Sequence, residues 1–273
     1  MQYVIANEAK IPALGFGTYG MRGTALVQLI SEALRAGFRH VDTAQIYGNE
    51  TEVGEGILRS GLRRADVFVT TKVWVANYSN DNFAQSVDES LKKLNTDYVD
   101  LLLLHWPNAA TPLADQIGLL NETVKQGKAR HIGVSNFNRS LIAQAVTLSD
   151  RPLVANQFEF HPFLDQDLMM TATRGVGMTI IAYCAMAVGR VFHDPTLMRI
   201  AESHGRSISQ IVLRWLVQQG VVALSRSSRA DRIRDNVEVF DFELTSAEMS
   251  EIAKLATPGS RIVNPPGLAP AWD

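Results

Sequence analysis

The chain has 273 residues, of which 26 are basic and 28 acidic, leaving a formal charge of −2 and a pI near 6.3. That balance argues against nucleic acid as a partner, because phosphate binding shows as a basic surplus. With 46% hydrophobic and 20% charged residues, the composition is that of a globular chain with a sizeable core, not of a disordered or fibrous one.

In chain order, the opening segment Met1–Ile11 is apolar at Tyr3, Val4 and Ile5 and turns at Asn7-Glu8, which predicts a hairpin closing the bottom of the fold. It lacks the basic start and apolar stretch of a secretion signal, so cytoplasm is expected. Short β-branched runs then alternate with stretches of helical period. The first strand, Ala13–Gly17, precedes a helix over Ala25–Ala36, and the second, Arg39–Asp42, a helix over Asn49–Ser60. The third, Val67–Lys72, leads to Asn82–Leu94, where Phe83, Val87, Leu91 and Leu94 share one face. The fourth, Tyr98–His105, leads to Leu113–Gln126, and the fifth, Ala129–Val134, to Ser140–Leu148. The sixth is Leu153–Gln157. The seventh, Met178–Tyr183, is followed by helices over Pro195–His204 and Ser209–Gln219, and the eighth, Val221–Leu224, by Arg229–Glu238 and Ser246–Leu255.

This rhythm predicts an α/β fold, a (β/α)8 barrel formed by one domain over residues 1–273, since no linker or low-complexity tract interrupts it. Leu101–Leu104 and Val221–Leu224 read as the continuous apolar runs of strands buried on both faces. The densest apolar run, Val99 to Trp106, is broken by Asp100 and His105 and falls far short of the ~18 residues of a membrane span. A single cysteine, Cys184, excludes an internal disulfide and a thiolate metal cluster. No metal and no oligomer are expected. One competing pattern is Gly15-Phe16-Gly17-Thr18-Tyr19-Gly20, which spells a dinucleotide-binding fingerprint with Asp42 downstream. Pro12 in the preceding strand, and a helix that cannot start before Arg22-Gly23-Thr24, favour a loop at a barrel rim instead.

In such a barrel, chemistry sits at the C-terminal ends of the strands. Asp42, with Tyr47 five residues on, Lys72, and His105 before Trp106-Pro107 end neighbouring strands two, three and four. Ser135-Asn136, Asn156-Gln157, Tyr183 and Arg226 finish the others. Taken one at a time, each has an ordinary structural explanation as a cap, a rim charge or a satisfied core group. Their convergence favours chemistry. A lysine ammonium beside a phenol is expected to lower its pKa and make Tyr47 a general acid, with Asp42 holding Lys72 protonated and His105 donating to a carbonyl oxygen. A carbonyl polarised by two donors is an acceptor for hydride. Tyr19, Trp74 and Trp106 follow strands one, three and four and are expected to wall the pocket, suiting small aldehydes and ketones. The short loop Asn108–Pro112 and a brief tail after Leu255 predict a wide, open pocket.

These residues resemble the aldo-keto reductase family over nearly the whole chain. Gly37-Phe38-Arg39-His40-Val41-Asp42-Thr43-Ala44 with Tyr47, Glu50 and Gly54 is similar to the family's first signature. Thr70-Thr71-Lys72, Asp97 through Leu101 leading to His105-Trp106-Pro107, and Gly133-Val134-Ser135-Asn136-Phe137 are similar to its further blocks. The tail from Arg261 to Trp272-Asp273 looks most like the short bacterial members that reduce diketogluconate and methylglyoxal. The resemblance implies NADP(H) as cofactor and Asp42, Tyr47, Lys72 and His105 as the catalytic tetrad. It implies the nicotinamide on Tyr183, its carboxamide at Ser135, Asn136 and Gln157, and Gly17 and Thr18 along the cofactor channel. The adenosine end would meet Arg226, Ser227, Arg229, Arg232 and Asn236, whose guanidiniums suit a 2′-phosphate. The chain departs from the family at Ser225-Arg226-Ser227 for the usual Pro-Lys-Ser, at Cys184-Ala185-Met186 for Ser-Pro-Leu, and at Asp235 for Glu. Two alternatives remain at this stage: a Schiff-base aldolase using Lys72, and a non-catalytic NADP(H)-binding partner protein.

Overall fold

The computed structural model describes residues 1–273. An antiparallel hairpin, β1 (Tyr3–Ala6) and β2 (Ala9–Pro12), precedes eight parallel strands. These are β3 (Leu14–Gly17), β4 (His40–Asp42), β5 (Phe68–Val73), β6 (Val99–Leu104), β7 (Ala129–Ser135), β8 (Leu153–Glu159), β9 (Thr179–Tyr183) and β10 (Val222–Ser225). Each pairs with its sequence neighbour and β10 closes onto β3, forming a barrel. The helices are α1 (Gly23–Ala36), α2 (Glu50–Ser60), α3 (Asn80–Leu94), α4 (Leu113–Lys125), α5 (Arg139–Leu148), α6 (Asp167–Gly175), α7 (Pro195–His204), α8 (Ile208–Gln218), α9 (Ala230–Val237) and α10 (Ser246–Ala253). The expected elements are all present, with ends shifted by one or two residues. Helix α6 buries Met169, Met170 and Thr173 on one face and lies outside the helices expected from pattern alone. No helix is long and apolar enough to cross a membrane.

The helices start where side chains satisfy free backbone N–H groups. Ser79 caps α3, Asn138 caps α5 and Asp194 caps α7 ahead of Pro195. Ser207 with Gln210 and Thr245 with Glu248 form reciprocal capping boxes on α8 and α10. Their apolar faces pack on the outside of the barrel, while Leu101, Leu103, Val154, Ala155, Ile181, Val222 and Leu224 form a second, smaller core.

The hairpin plugs the barrel's N-terminal end. Ala9 and Ile11 are fully buried and join that second core. At its turn, Asn7 Nδ2 donates to Leu153 O at 2.8 Å and Val176 O at 3.3 Å, at the base of β8 and just before β9. Gly177 allows this contact: it has φ +79°, and a Cβ there would lie 2.3 Å from Asn7 Oδ1.

The glycine pattern after Ala13 has no dinucleotide-binding geometry. Pro12 belongs to the hairpin, and β3 passes so close to its neighbours that a Cβ on Gly15 would sit 2.7 Å from both His40 Nδ1 and a Leu224 methyl. Gly15 is a strand-packing residue, and α1 begins only at Gly23.

Candidate active site

The register of three adjacent strands brings four side chains to the C-terminal rim. Asp42 ends β4, and a single 3-10 turn, Gln45–Tyr47, places Tyr47 above it. The turn is tied to the loop after β5 by Gln45, whose Oε1 accepts from Trp74 N and Asn77 Nδ2, both at 2.9 Å. Lys72 pairs in register with Leu103 of β6, and His105 follows that strand, its backbone N–H donating to Val73 O at 3.2 Å.

Lys72 and Asp42 are almost entirely buried, at 1% and 3% exposure. Lys72 Nζ donates to Asp42 Oδ1 at 2.6 Å and to Thr43 O at 2.8 Å, and lies 3.5 Å from the Tyr47 hydroxyl. Gln157 Nε2 donates to Asp42 Oδ2 at 2.8 Å. The Tyr47 ring meets Tyr19 and His105 edge-on, with centroids 5.1 and 5.7 Å apart. Trp74 lies 5.3 Å from His105 on its other side.

The electrostatics correct one expectation. Burial, the Asp42 carboxylate and Tyr19 together push the Tyr47 phenol well above its ordinary pKa. Lys72 does not reverse this: its shortest bonds go to Asp42 and Thr43, and the phenol oxygen lies farther off, at 3.5 Å. Burial also draws the Lys72 ammonium below the usual lysine value, opposed chiefly by Asp42. His105 falls well below the ordinary imidazole value, first through burial and then through Lys72, so it is neutral at physiological pH. The rim therefore presents a protonated phenol and a neutral imidazole.

Around the barrel, a second set of polar groups is interlinked. Ser135 Oγ donates to Gln157 O at 2.9 Å, and Asn136 Nδ2 donates to His105 O and Ser135 Oγ, both at 3.0 Å. Asn136 holds a left-handed backbone, φ 62°, and its Oδ1 accepts from the Tyr183 hydroxyl at 2.6 Å. Tyr183 is the one half-buried residue of an otherwise buried β9, so part of its ring remains accessible. These groups join the first set through Gln157 and Asp42.

Other expected residues are placed less simply. Gly17 is half-buried beside Ser225. Thr18 is fully buried and its hydroxyl donates to Asp42 O at 3.0 Å, bracing the end of β4. Tyr19 is 68% exposed and Trp74 half-buried, at the mouth. Trp106 is buried, with its backbone carbonyl accepting from Tyr78 Oη at 2.9 Å.

After β10, Ser227 shapes the loop by accepting from Arg229 N at 3.1 Å, and Asn236 Nδ2 reaches back to Ser225 Oγ at 2.7 Å. Arg229 is committed to Asp231. Arg226 and Arg232 are exposed and form no ion pair, and Arg226 Nη2 comes within 3.4 Å of where a Cβ on Gly20 would sit, in the loop after the adjacent strand β3.

The tail after Leu255 comprises residues 256–273. It folds back over the rim: Ile262 and Val263 N–H groups reach Glu159 at the end of β8, and Ala271 and Asp273 reach Asn138 and Arg139. Glu159 escaped the sequence reading because β8 runs two residues beyond its expected end at Gln157. The alternation Gln157, Glu159 carries the signal, since both point to the same face.

Comparison with known proteins agrees with this geometry. The profile of the aldo/keto reductase family matches residues 13–257. The chain is 38% identical to the methylglyoxal reductase DkgB of Salmonella typhi over 266 residues, covering 96% of this chain and 99% of that one. A crystal structure provisionally named a 2,5-diketo-D-gluconic acid reductase B superposes with a TM-score of 0.98 at 54% identity, over 100% of this chain and 98% of the other. The Bombyx mori aldo-keto reductase, solved in complex with NADP, superposes with a TM-score of 0.87 at 32% identity, over 94% of each chain.

Proposed function

The chain belongs to the aldo/keto reductase family and is an NADP-dependent oxidoreductase, and we propose that it reduces small aldehydes and ketones with Tyr47 as the proton donor. The observation that carries this reading is the convergence of Asp42, Tyr47, Lys72 and His105 on one rim, with the phenol hydroxyl 3.5 Å from a buried ammonium.

The residues present suit the cofactor. Tyr183 offers a partly accessible aromatic face beside the amide and hydroxyl groups of Asn136, Ser135 and Gln157. Arg226 and Arg232 offer unpaired guanidiniums suited to a phosphate. When bound, NADPH supplies the hydride.

Proton delivery falls to the chain. Tyr47 donates a hydrogen bond to the carbonyl oxygen and then its proton. An alkoxide is far more basic than a phenolate, so the transfer runs downhill even from a phenol whose pKa is high. Lys72, fixed by Asp42, offsets the charge left on the phenolate oxygen. His105, held neutral, donates the second hydrogen bond that orients the carbonyl. Tyr19 and Trp74 supply an apolar mouth that limits water.

Substrate class follows from similarity and chemistry together. The methylglyoxal and diketogluconate reductases that resemble this chain act, by name, on small polar dicarbonyls, and the aromatic mouth accepts compact carbonyl compounds without demanding one. The Schiff-base alternative requires a free, approachable amine, whereas Lys72 is buried and donates to two oxygens. The test follows NADPH consumption with methylglyoxal, 2,5-diketogluconate and an aromatic aldehyde, using wild type and Tyr47→Phe. Turnover lowered ~10²–10⁴-fold by Tyr47→Phe, with NADPH affinity within about twofold, is expected. Wild-type turnover from Tyr47→Phe would remove the tyrosine as acid, and a borohydride-trapped adduct on Lys72 would restore the aldolase.

A further inference from the structure

Tyr47 rides on a short span, Gln45–Gly48, that buries no side chain fully. The 3-10 turn Gln45–Tyr47 contains no buried residue and no side-chain cap, and Ile46 at its centre is 48% exposed. Its backbone is closed only by Tyr47 N to Ala44 O at 3.0 Å and Gly48 N to Gln45 O at 3.2 Å. The phenol hydroxyl adds little, since its 3.5 Å separation from Lys72 Nζ is at the long limit of a hydrogen bond. A cavity of about 170 Å³, lined in part by Gln45, Glu50, Trp74 and Ser86, lies beside the turn, so no packed core backs it there.

What holds the span is the side chain of Gln45. Its Oε1 accepts from Trp74 N and Asn77 Nδ2, both at 2.9 Å, in the loop after β5. Its Nε2 faces α3, at 3.1 Å from Ser86 O, 3.1 Å from Ser86 Oγ and 3.2 Å from Ser90 Oγ. The Ser86 hydroxyl already donates to Phe83 O at 2.8 Å, so toward Gln45 it can only accept. A backbone N–H only donates and a backbone carbonyl only accepts, so Trp74 N and Ser86 O fix which way the amide points. One planar group therefore joins the turn, the helix and the loop, with donors matched to acceptors on both sides. The loop is held from its far side as well: Asn108 Nδ2 donates to Val75 O at 3.2 Å, and Gln116 Nε2 donates to Asn108 O at 2.7 Å.

We propose that Gln45 is a positioning residue whose side-chain amide sets the Tyr47 turn and the Trp74 loop as one unit, so that the proton donor and the aromatic wall of the pocket keep a fixed separation. This rests on the reductase reading above. Without the amide, the turn is released from α3 and from Trp74. The phenol then samples positions from which it does not reach the carbonyl oxygen, and the substrate meets a looser wall. The groups assigned to the nicotinamide, Ser135, Asn136, Gln157 and Tyr183, share no hydrogen bond with Gln45 and keep their places.

The test uses the full-length chain with Gln45→Met, which keeps the length of the side chain and removes its five polar contacts. For methylglyoxal, kcat is expected to fall roughly tenfold and KM to rise about threefold, while KM for NADPH stays within about twofold. A second background separates positioning from a general loss of structure. In Tyr47→Phe the same substitution is expected to lower kcat by less than about twofold, since the group it positions is gone, while the rise in KM remains. Hydrogen exchange over residues 44–49, read by mass spectrometry, reports the turn directly and is expected to be about tenfold faster in Gln45→Met. Asn77→Ala, which removes one donor to Oε1 and leaves the turn intact, is expected to move exchange and KM in the same direction by a smaller factor. Wild-type kcat and wild-type exchange in folded Gln45→Met overturn the proposal, as does an equal loss of kcat in the Tyr47→Phe background. If Gln45→Met does not fold, unchanged exchange and KM in Asn77→Ala overturn it. Should wild type show no NADPH-dependent turnover, the reductase reading fails separately, and the exchange comparison alone decides whether Gln45 holds the turn.

Discussion

The two ends of the barrel solve opposite problems. At the N-terminal end, the hairpin fills the opening with Ala9 and Ile11, and the buried carboxylate Asp100 is fully occupied by Arg64 at 2.8 Å, Arg130 at 3.1 Å and Val69 N at 3.0 Å. At the C-terminal end, Lys72 and Asp42 are buried as deeply, yet the pair stops short of satisfying its neighbours: Tyr47 is 3.5 Å from Lys72 and the His105 Nδ1 is buried with no partner. Left-handed backbone occurs at both ends, at Asn136, Cys184, Ala187 and Val188 on the rim side and at Asn7 and Glu8 in the turn of the hairpin. Strain of this kind costs on the order of 1–3 kcal/mol per residue and persists only where surrounding structure imposes it. A base closed by the hairpin thus supports a rim where the Tyr47 hydroxyl is only loosely held.

The largest effect expected from breaking this contrast comes from Lys72→Met. It strands the Asp42 carboxylate in the interior, which typically costs about 3–5 kcal/mol, and it removes the charge that stabilises the Tyr47 phenolate, so turnover falls at least ~10²-fold. Adding Asp42→Asn should recover most of the stability in urea unfolding while leaving turnover low. Recovery of both would mean that the ion pair is structural and takes no part in proton transfer.

Ile11→Ala probes the opposite end. It opens a cavity under the interior layer and is expected to cost about 2–5 kcal/mol in unfolding free energy, with kcat per folded molecule unchanged. A parallel loss of kcat would show that the two ends are coupled and not independent.

His40, at the base of β4, sharpens the same division through pH. Burial lowers its pKa to about 4, against the opposing pull of Asp42. The unfolded chain takes up this proton near pH 6.5 and the folded chain only near 4, so between those values the unfolded state binds more protons and stability falls as the solution is acidified. The loss approaches about 3 kcal/mol by the lower limit. Replacing His40 by Asn should flatten the pH dependence of the unfolding free energy in that window, relative to wild type. An unchanged slope would place the acid sensitivity in other groups.

The barrel was legible because parallel strands buried on both faces leave continuous apolar runs, as at Leu101–Leu104, and because stretches of helical period, such as Phe83, Val87, Leu91 and Leu94, lie between them. The four rim residues were legible because they fall at or just beyond the C-terminal ends of three neighbouring strands. What escaped depends on long-range geometry. The direction of the Tyr47 pKa shift is set first by burial and then by Asp42 and Tyr19, and residue types alone do not specify how deeply the phenol is buried. Glu159 lies past the expected end of its strand, and its partners are backbone amides 103 and 104 residues away. Thr18 keeps its place in the pattern, but its hydroxyl turns inward to Asp42.

The smallest effect concerns the loop after β10, where the rim's surplus of donors meets solvent. Three arginines occupy it, and the geometry separates them. Arg229 is already neutralised by Asp231, whereas Arg226 and Arg232 carry no counter-charge and Arg226 lies against Gly20 in the loop after the adjacent strand. A guanidinium without a partner gives up no ion pair when it receives a phosphate, while one that is already paired must first be released. Arg226→Ala combined with Arg232→Ala is therefore expected to weaken NADPH binding roughly tenfold and NADH by less than about twofold, because exposed charges are partly screened. Arg229→Ala should change the preference little. Titration of the bound nucleotide's fluorescence at two salt concentrations separates these cases: equal loss for both nucleotides would move the 2′-phosphate site away from this loop, and a large effect from Arg229→Ala alone would mean that its pairing with Asp231 gives way to the cofactor.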